Sequence, residues 1–170
     1  MKKLLLLLLL TLSAYAVKMG EVPPPLLLDG DNGGRSDGTP WDSYILRGKV
    51  HTVLYMDPDE RKVAMPFLDA LNSKKFDKTK YATIAIVNLA AMWMPNYVLE
   101  TMLKSKQKEL DNTEFVFDKT KYLVKKWQLK DDASNVLIFD AKGKLLYQKS
   151  GTLSSEDVSE IMNLISKSIE

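Results

Sequence analysis

The chain contains no cysteine, one histidine and three arginines among 170 residues. Without cysteine there are no disulfides, no thiol redox catalysis, no zinc–thiolate site and no lipidated N-terminal cysteine. With His51 as the sole imidazole, a multi-histidine metal site within one chain is also excluded. Much of the chemistry open to exported enzymes is therefore closed before any motif is read. The scarcity of arginine, together with a formal net charge of only +2, also argues against phosphate-backbone binding, which needs a concentrated cationic excess.

The long apolar run that does occur is short and terminal. Met1-Lys2-Lys3 is followed by seven leucines and then by Ala14-Tyr15-Ala16. A basic start, a brief apolar stretch and a small-x-small end are the parts of a cleaved secretory signal, here predicted to be cut after Ala16. The run is too short to span a bilayer. Residues 1–16 hold two lysines and no acid, so the 24 basic residues fall to 22 and match the 22 acidic ones. The mature protein is thus expected to be a neutral periplasmic domain that meets membrane only during export and binds no nucleic acid.

Residues 17–46 read as an N-terminal extension and residues 47–170 as the main domain. The extension holds Pro23-Pro24-Pro25, a short strand at Leu26-Leu27-Leu28, and a turn or loop over 29–38 that is rich in Asp and Gly. In the main domain His51–Tyr55 is a strand, stopped by Asp57-Pro58-Asp59-Glu60. Val63, Phe67, Leu68 and Leu71 share a helical face. Tyr81–Leu89 is nearly all apolar, as in a strand covered on both sides. Pro95 suits the first turn of a helix running to about Leu110. Glu114–Phe117 is a strand, with Asp118 or Thr120 available to cap a helix carrying Leu123 and Trp127. Val136–Phe139 and Leu145–Gln148 form a hairpin around Asp140–Gly143. Ser154 and Asp157 resemble a capping box that opens the last helix. Strand–helix alternation ending in a hairpin and helix predicts an α/β fold with a mixed sheet. Phe-Asp-Lys-Thr-Lys-Tyr occurs at both 76–81 and 117–122, and is read as coincidence because it precedes a strand in one place and starts a helix in the other.

This order resembles the thioredoxin-like one, a three-layer sandwich, here with an N-terminal extension of the peroxiredoxin type. Ala91-Met92-Trp93-Met94-Pro95-Asn96-Tyr97 is similar to the Ala-Thr-Trp-Cys-Pro-Pro-Cys segment of exported thiol-disulfide oxidoreductases. The resemblance puts Met94 and Tyr97 where the two cysteines would stand, and Ser134 near the position of the family's cis-proline. A methionine forms no thiolate, so the resemblance implies a retained scaffold with its redox chemistry lost. A closer likeness over residues 26–170 is to the YtfJ family, small exported proteins of Gram-negative bacteria. It rests on Gly48-Lys49-Val50, Ile86-Val87-Asn88, Phe115-Val116-Phe117-Asp118, Trp127-Gln128-Leu129, Asn135–Asp140 and Gly143-Lys144. That likeness implies the fold and no established activity. Some members carry a transcriptional-regulator label, which the signal segment and neutral charge oppose.

In open α/β sheets ligands collect at the carboxyl ends of the strands. Residues 56–60, 88–96 and 131–135 should meet there. Trp93, Met94, Pro95 and Asn96 form an apolar group at the entry of a helix and are the leading binding candidate, against a simple packing role for Trp93. Asp57, Asp59 and Glu60 cluster within four residues; helix capping is the preferred reading over a divalent-cation site, unless Asp131 and Asp132 join them. Asp29-Gly-Asp-Asn-Gly-Gly34 fails the calcium-loop pattern, having Pro40 at the twelfth position. Met56, Met92 and Met94 suit core filling better than Cu(I). His51 reads as structural or surface, and Trp41 and Trp127 as core or lid. The expectation is a cofactor-free binding or adaptor module for a periplasmic protein segment or small ligand. A carboxylate- or metal-dependent enzyme is the alternative.

Overall fold

A computed structural model describes residues 16–91, 98, 101, 105, 108–110 and 112–170. Its centre is a six-stranded mixed sheet. The strands are β2 (Gly33–Arg35), β4 (Val50–Met56), β5 (Tyr81–Asn88), β6 (Thr113–Asp118), β7 (Asn135–Phe139) and β8 (Leu145–Ser150), in the order β2-β6-β5-β4-β7-β8. β4, β5 and β6 are parallel, while β2, β7 and β8 pair antiparallel with their neighbours. β1 (Leu27–Leu28) and β3 (Trp41–Asp42) form a separate ribbon.

Alternation along the strands builds two cores. Leu54, Met56, Ala85, Val87, Phe115, Phe117, Val136 and Ile138 point to one face. There they meet Phe67, Leu68 and Leu71 of helix α1 (Arg61–Ser73). Ile161, Met162 and Ile165 of helix α3 (Ser155–Ser168) complete that layer. Val53, Tyr55, Ile84, Ile86, Val116, Leu137 and Phe139 point to the other face. It is covered by Leu123 and Trp127 of helix α2 (Tyr122–Trp127) and by Leu26, Leu28, Trp41 and Leu46. Helices on both faces make the expected three layers. Trp41 and Trp127 are both fully buried, as their core reading required. Val98, Thr101, Ser105, Lys108 and Glu109 have helical backbone, in keeping with the helix read after Pro95.

One expectation fails. Residues 29–38 are not simply a loop: a short 3-10 turn (Gly30–Asn32) leads into β2, which pairs with β6 through Gly33↔Asp118, Gly34↔Phe117 and Arg35↔Val116. Glycine hides this strand from propensity, yet the strand needs it. At Gly33 the backbone has φ +130° and a Cβ would lie 1.8 Å from the Phe117 carbonyl oxygen.

The two copies of Phe-Asp-Lys-Thr-Lys-Tyr share a local device and nothing more. In both, the aspartate Oδ1 accepts the N–H of the threonine two residues on. The first turn is exposed and delivers β5; the second, with its aspartate buried, leads into α2. The capping box of α3 is present in both directions, Asp157 N to Ser154 Oγ and Ser154 N to Asp157 Oδ2.

Candidate functional site

The carboxyl ends of β4, β5 and β6 and the start of β7 lie along one edge of the sheet. Asn88 is the register partner of Asp118, and Tyr55 that of Asn135. Asp57, Asn88, Asp118, Ser134 and Asn135 are all buried there. Five polar side chains withdrawn from water at one edge need partners, and two of them, Asp118 and Asn135, have dense networks.

Asp118 is completely buried. Its Oδ1 accepts the N–H groups of Thr120 and Tyr122 at 3.1 and 2.8 Å, and its Oδ2 accepts Leu123 N–H at 2.9 Å and the Tyr55 hydroxyl at 3.3 Å. It therefore ties the end of β6 to the first turn of α2, where Lys121 takes a left-handed conformation and supplies no cap of its own. Tyr55 is held far above the usual phenol range, by burial first and then by the Asp118 carboxylate. It is a permanent donor in this pair. Asn135 accepts Lys130 N–H and the Ser150 hydroxyl on Oδ1, and donates from Nδ2 to the carbonyls of Lys130 and Ala133. It shapes the loop carrying Asp131–Ser134.

Asn88 and Ser134 are not fully satisfied. Asn88 Oδ1 accepts Ala90 N–H at 3.1 Å, but its Nδ2 has no partner among the described residues. The Ser134 hydroxyl has none among them either. Ser134 follows from the register as a neighbour of Met56 across β4 and β7, so it stands about two strand spacings, roughly 10 Å, from Asn88 along the edge. The gap between them belongs to residues 56–57.

The acidic cluster divides. Asp57 is buried and its Oδ1 accepts Asp59 N–H at 3.0 Å, which starts the 3-10 turn Pro58–Glu60. Asp59 and Glu60 are exposed. The capping expectation needs adjustment: Asp57 caps the short turn, whereas Glu60 at the N-cap of α1 makes no side-chain capping bond. Asp131 and Asp132 are drawn to Lys121 Nζ at 2.7 and 3.2 Å. Among the described residues no group of three or more His, Asp or Glu side chains is placed to hold a metal ion. Trp93, Met94, Pro95 and Asn96, the leading sequence candidates, lie outside the described residues, as do Met92 and Tyr97. Met56 is a buried member of the first core.

At the opposite end of the sheet, His51 is buried with Nδ1 3.0 Å from the Lys49 carbonyl. Burial holds its pKa below the usual imidazole range. The structural reading of this residue therefore fits its place. Beside it Arg35 Nε pairs with Glu114 at 2.6 Å, joining β2 to β6. Sequence reasoning did not pick out Asn135, Tyr55 or the Arg35–Glu114 pair. Their significance lies in cross-strand register, which local pattern does not carry.

Comparison with known proteins settles the kinship. A family model described as a bacterial protein of unknown function (YtfJ_HI0045) matches residues 31–168. The chain belongs to the YtfJ family. It is similar to the uncharacterized protein YtfJ of Escherichia coli (strain K12), with 27% identity over 95% of this chain and 92% of that one. A protein of Haemophilus influenzae is 27% identical over 74% of this chain and 70% of its own length. Among solved structures, the thioredoxin domain of a thiol-disulfide oxidoreductase from Bacteroides vulgatus superposes with a TM-score of 0.64 at 14% identity, covering 91% of this chain and all of that domain. The exposed lipoprotein thioredoxin of Streptococcus pneumoniae gives 0.61 at 14% identity over 85% of this chain and 99% of its own. Likeness at that identity establishes the fold: this YtfJ-family chain is thioredoxin-like.

Proposed function

We propose that the protein is an exported binding or adaptor module on a redox-inactive thioredoxin-like scaffold, and that it receives a protein segment or small ligand at the carboxyl-end edge of its parallel strands. One observation carries this reading. Among the described residues, Asn88 Nδ2 and the Ser134 hydroxyl are buried without partners on the same edge, while Asp118 and Asn135 beside them are fully engaged. A buried donor without an acceptor costs about 1–3 kcal/mol, which a ligand carbonyl or carboxylate there would return. The lack of cysteine removes the thiol chemistry for which related folds use this edge. Trp93–Asn96, which follow the 3-10 turn Leu89–Ala91 in sequence, would supply the apolar half of the site.

The test is native mass spectrometry of the protein recovered from the periplasm, in wild-type form and as Trp93→Ala. The reading expects bound mass on the wild type and its loss from a Trp93→Ala chain that still unfolds cooperatively. Bound mass unchanged by Trp93→Ala and by Ser134→Ala together would refute the site.

A further inference from the structure

We propose that the chain contains an intramolecular site for its own processed N-terminus: the carbonyl end of α2 receives the α-ammonium group of Val17 once the leader is cut after Ala16. This rests on the export reading above. The cut itself is an amide hydrolysis by a leader peptidase. Water's oxygen goes to the Ala16 carboxylate, and both its protons go to the Val17 nitrogen, which becomes an ammonium.

Three observations point to the site. Val17 N lies 3.2 Å from the Trp127 carbonyl oxygen, the last of α2, and the Val17 side chain packs against the second core. Trp127 also holds the chain further on, through its indole N–H to the Pro24 carbonyl at 2.9 Å. Between these two anchors Gly20 N–H donates to Leu145 O, and Leu145 N–H to Glu21 O, at 2.8 and 2.9 Å. The segment from Val17 to Pro24 is thus strapped from the end of α2 to the start of β8.

The end of α2 is built to take a cation. The last carbonyls of a helix lack intrahelical donors and carry its negative pole. Cations of the last turn commonly serve there, and α2 has Lys125 and Lys126. Lys125 reaches back toward the helix start, its Nζ donating to Thr120 O, and Lys126 Nζ sits 5.6 Å from the Tyr122 ring centre. The group placed at the Trp127 carbonyl is the Val17 nitrogen. As a peptide N–H it offers one neutral donor; as an ammonium it offers three and a charge, and charge-assisted bonds are roughly twice as strong.

The experiment compares three mature chains. One begins at Val17 with a free amine. The second is the same chain acetylated at that amine, made near pH 6.5, where an α-amine (usual pKa about 7.7–8.0) reacts ahead of lysines (about 10.4). The third begins at Ala16, which keeps the Val17 N–H but moves the charge one residue away. The free Val17 chain should melt about 2–4 °C above both others, the shift that one added charge-assisted bond gives a chain of this size. Equal melting temperatures, or a higher one for the acetylated chain, would overturn the docking. The intact mass of the exported protein separately tests the cut: a chain retaining Met1–Ala16 would remove the processing step without touching the melting comparison.

Discussion

Replacing Asp118 with asparagine probes the frame of the candidate edge at its most committed group. The carboxylate is fully buried and accepts three backbone N–H groups and the Tyr55 hydroxyl. Asparagine can keep the two acceptances on one oxygen, from Thr120 and Tyr122. Its amide nitrogen then faces Leu123 N–H, and Tyr55 must reverse its role. A hydrogen bond to a charged group contributes about 1.5–3 kcal/mol, so losing one backbone bond and weakening the remaining pair should cost about 2–4 kcal/mol. For a chain of this length that is a fall of about 4–16 °C in Tm. Tyr55→Phe removes only the longest bond and should cost about 0.5–1.5 kcal/mol. Urea unfolding followed by the fluorescence of buried Trp127 and Trp41 gives both values. The double variant should lose less than the sum of the two singles, since they share a bond. An Asp118→Asn protein within about 0.5 kcal/mol of wild type would show that the carboxylate does not hold the β6–α2 junction as argued.

Further predictions concern the edges and the charge pairs. Gly33→Ala should detach β2, because its Cβ has no room beside Phe117 O; amide exchange at Ser36, whose N–H donates to Phe115 O of β6, should accelerate while β4 and β5 stay protected. Asp157 is held down to about 2 by its bond to Lys149 and by Ser154 N–H. Its depressed folded pKa stabilises the protein above the usual carboxylate value of about 3.9, and that contribution fades as pH falls toward 2. Lys149→Met should therefore move the acid-unfolding midpoint to higher pH, which far-UV circular dichroism would register. Ca²⁺, Mg²⁺ or Mn²⁺ at a hundred times the dissociation constant of a real site would add about 2.7 kcal/mol. Since Asp57 is occupied by Asp59 N–H and Asp131 and Asp132 by Lys121, melting temperatures should not respond; a rise of several degrees would restore the metal-dependent reading.

The parts of the fold that were legible in sequence are those with strong local signals. Tyr81–Asn88 is nearly all apolar because both faces of β5 are covered, and Ser154 with Asp157 announced α3 through chemistry confined to four residues. Gly33–Arg35 escaped because what makes it a strand is the close approach of Phe117, eighty-four residues away, and the only residue tolerated there has the weakest strand propensity. At the candidate edge, the cap role of Asp118 was visible from its place before the helix. Its bond to Tyr55 was not, nor was the work of Asn135, since both depend on which strands lie side by side. The acidic cluster shows the same limit. Spacing placed Asp57, Asp59 and Glu60 together, but only the fold separates the buried Asp57 from its exposed neighbours.

Reception of ligand at the carboxyl-end edge, the proposal above, is open to site-specific photo-crosslinking. Ala90 is exposed beside Asn88 at that edge, and Lys142 is exposed in the turn after β7, at the opposite end of the sheet. With a photoreactive residue at each position in turn, the expected result is an adduct from position 90 that disappears in Trp93→Ala, and none from position 142. Adducts from position 142 alone, or from position 90 undiminished by Trp93→Ala, would contradict it.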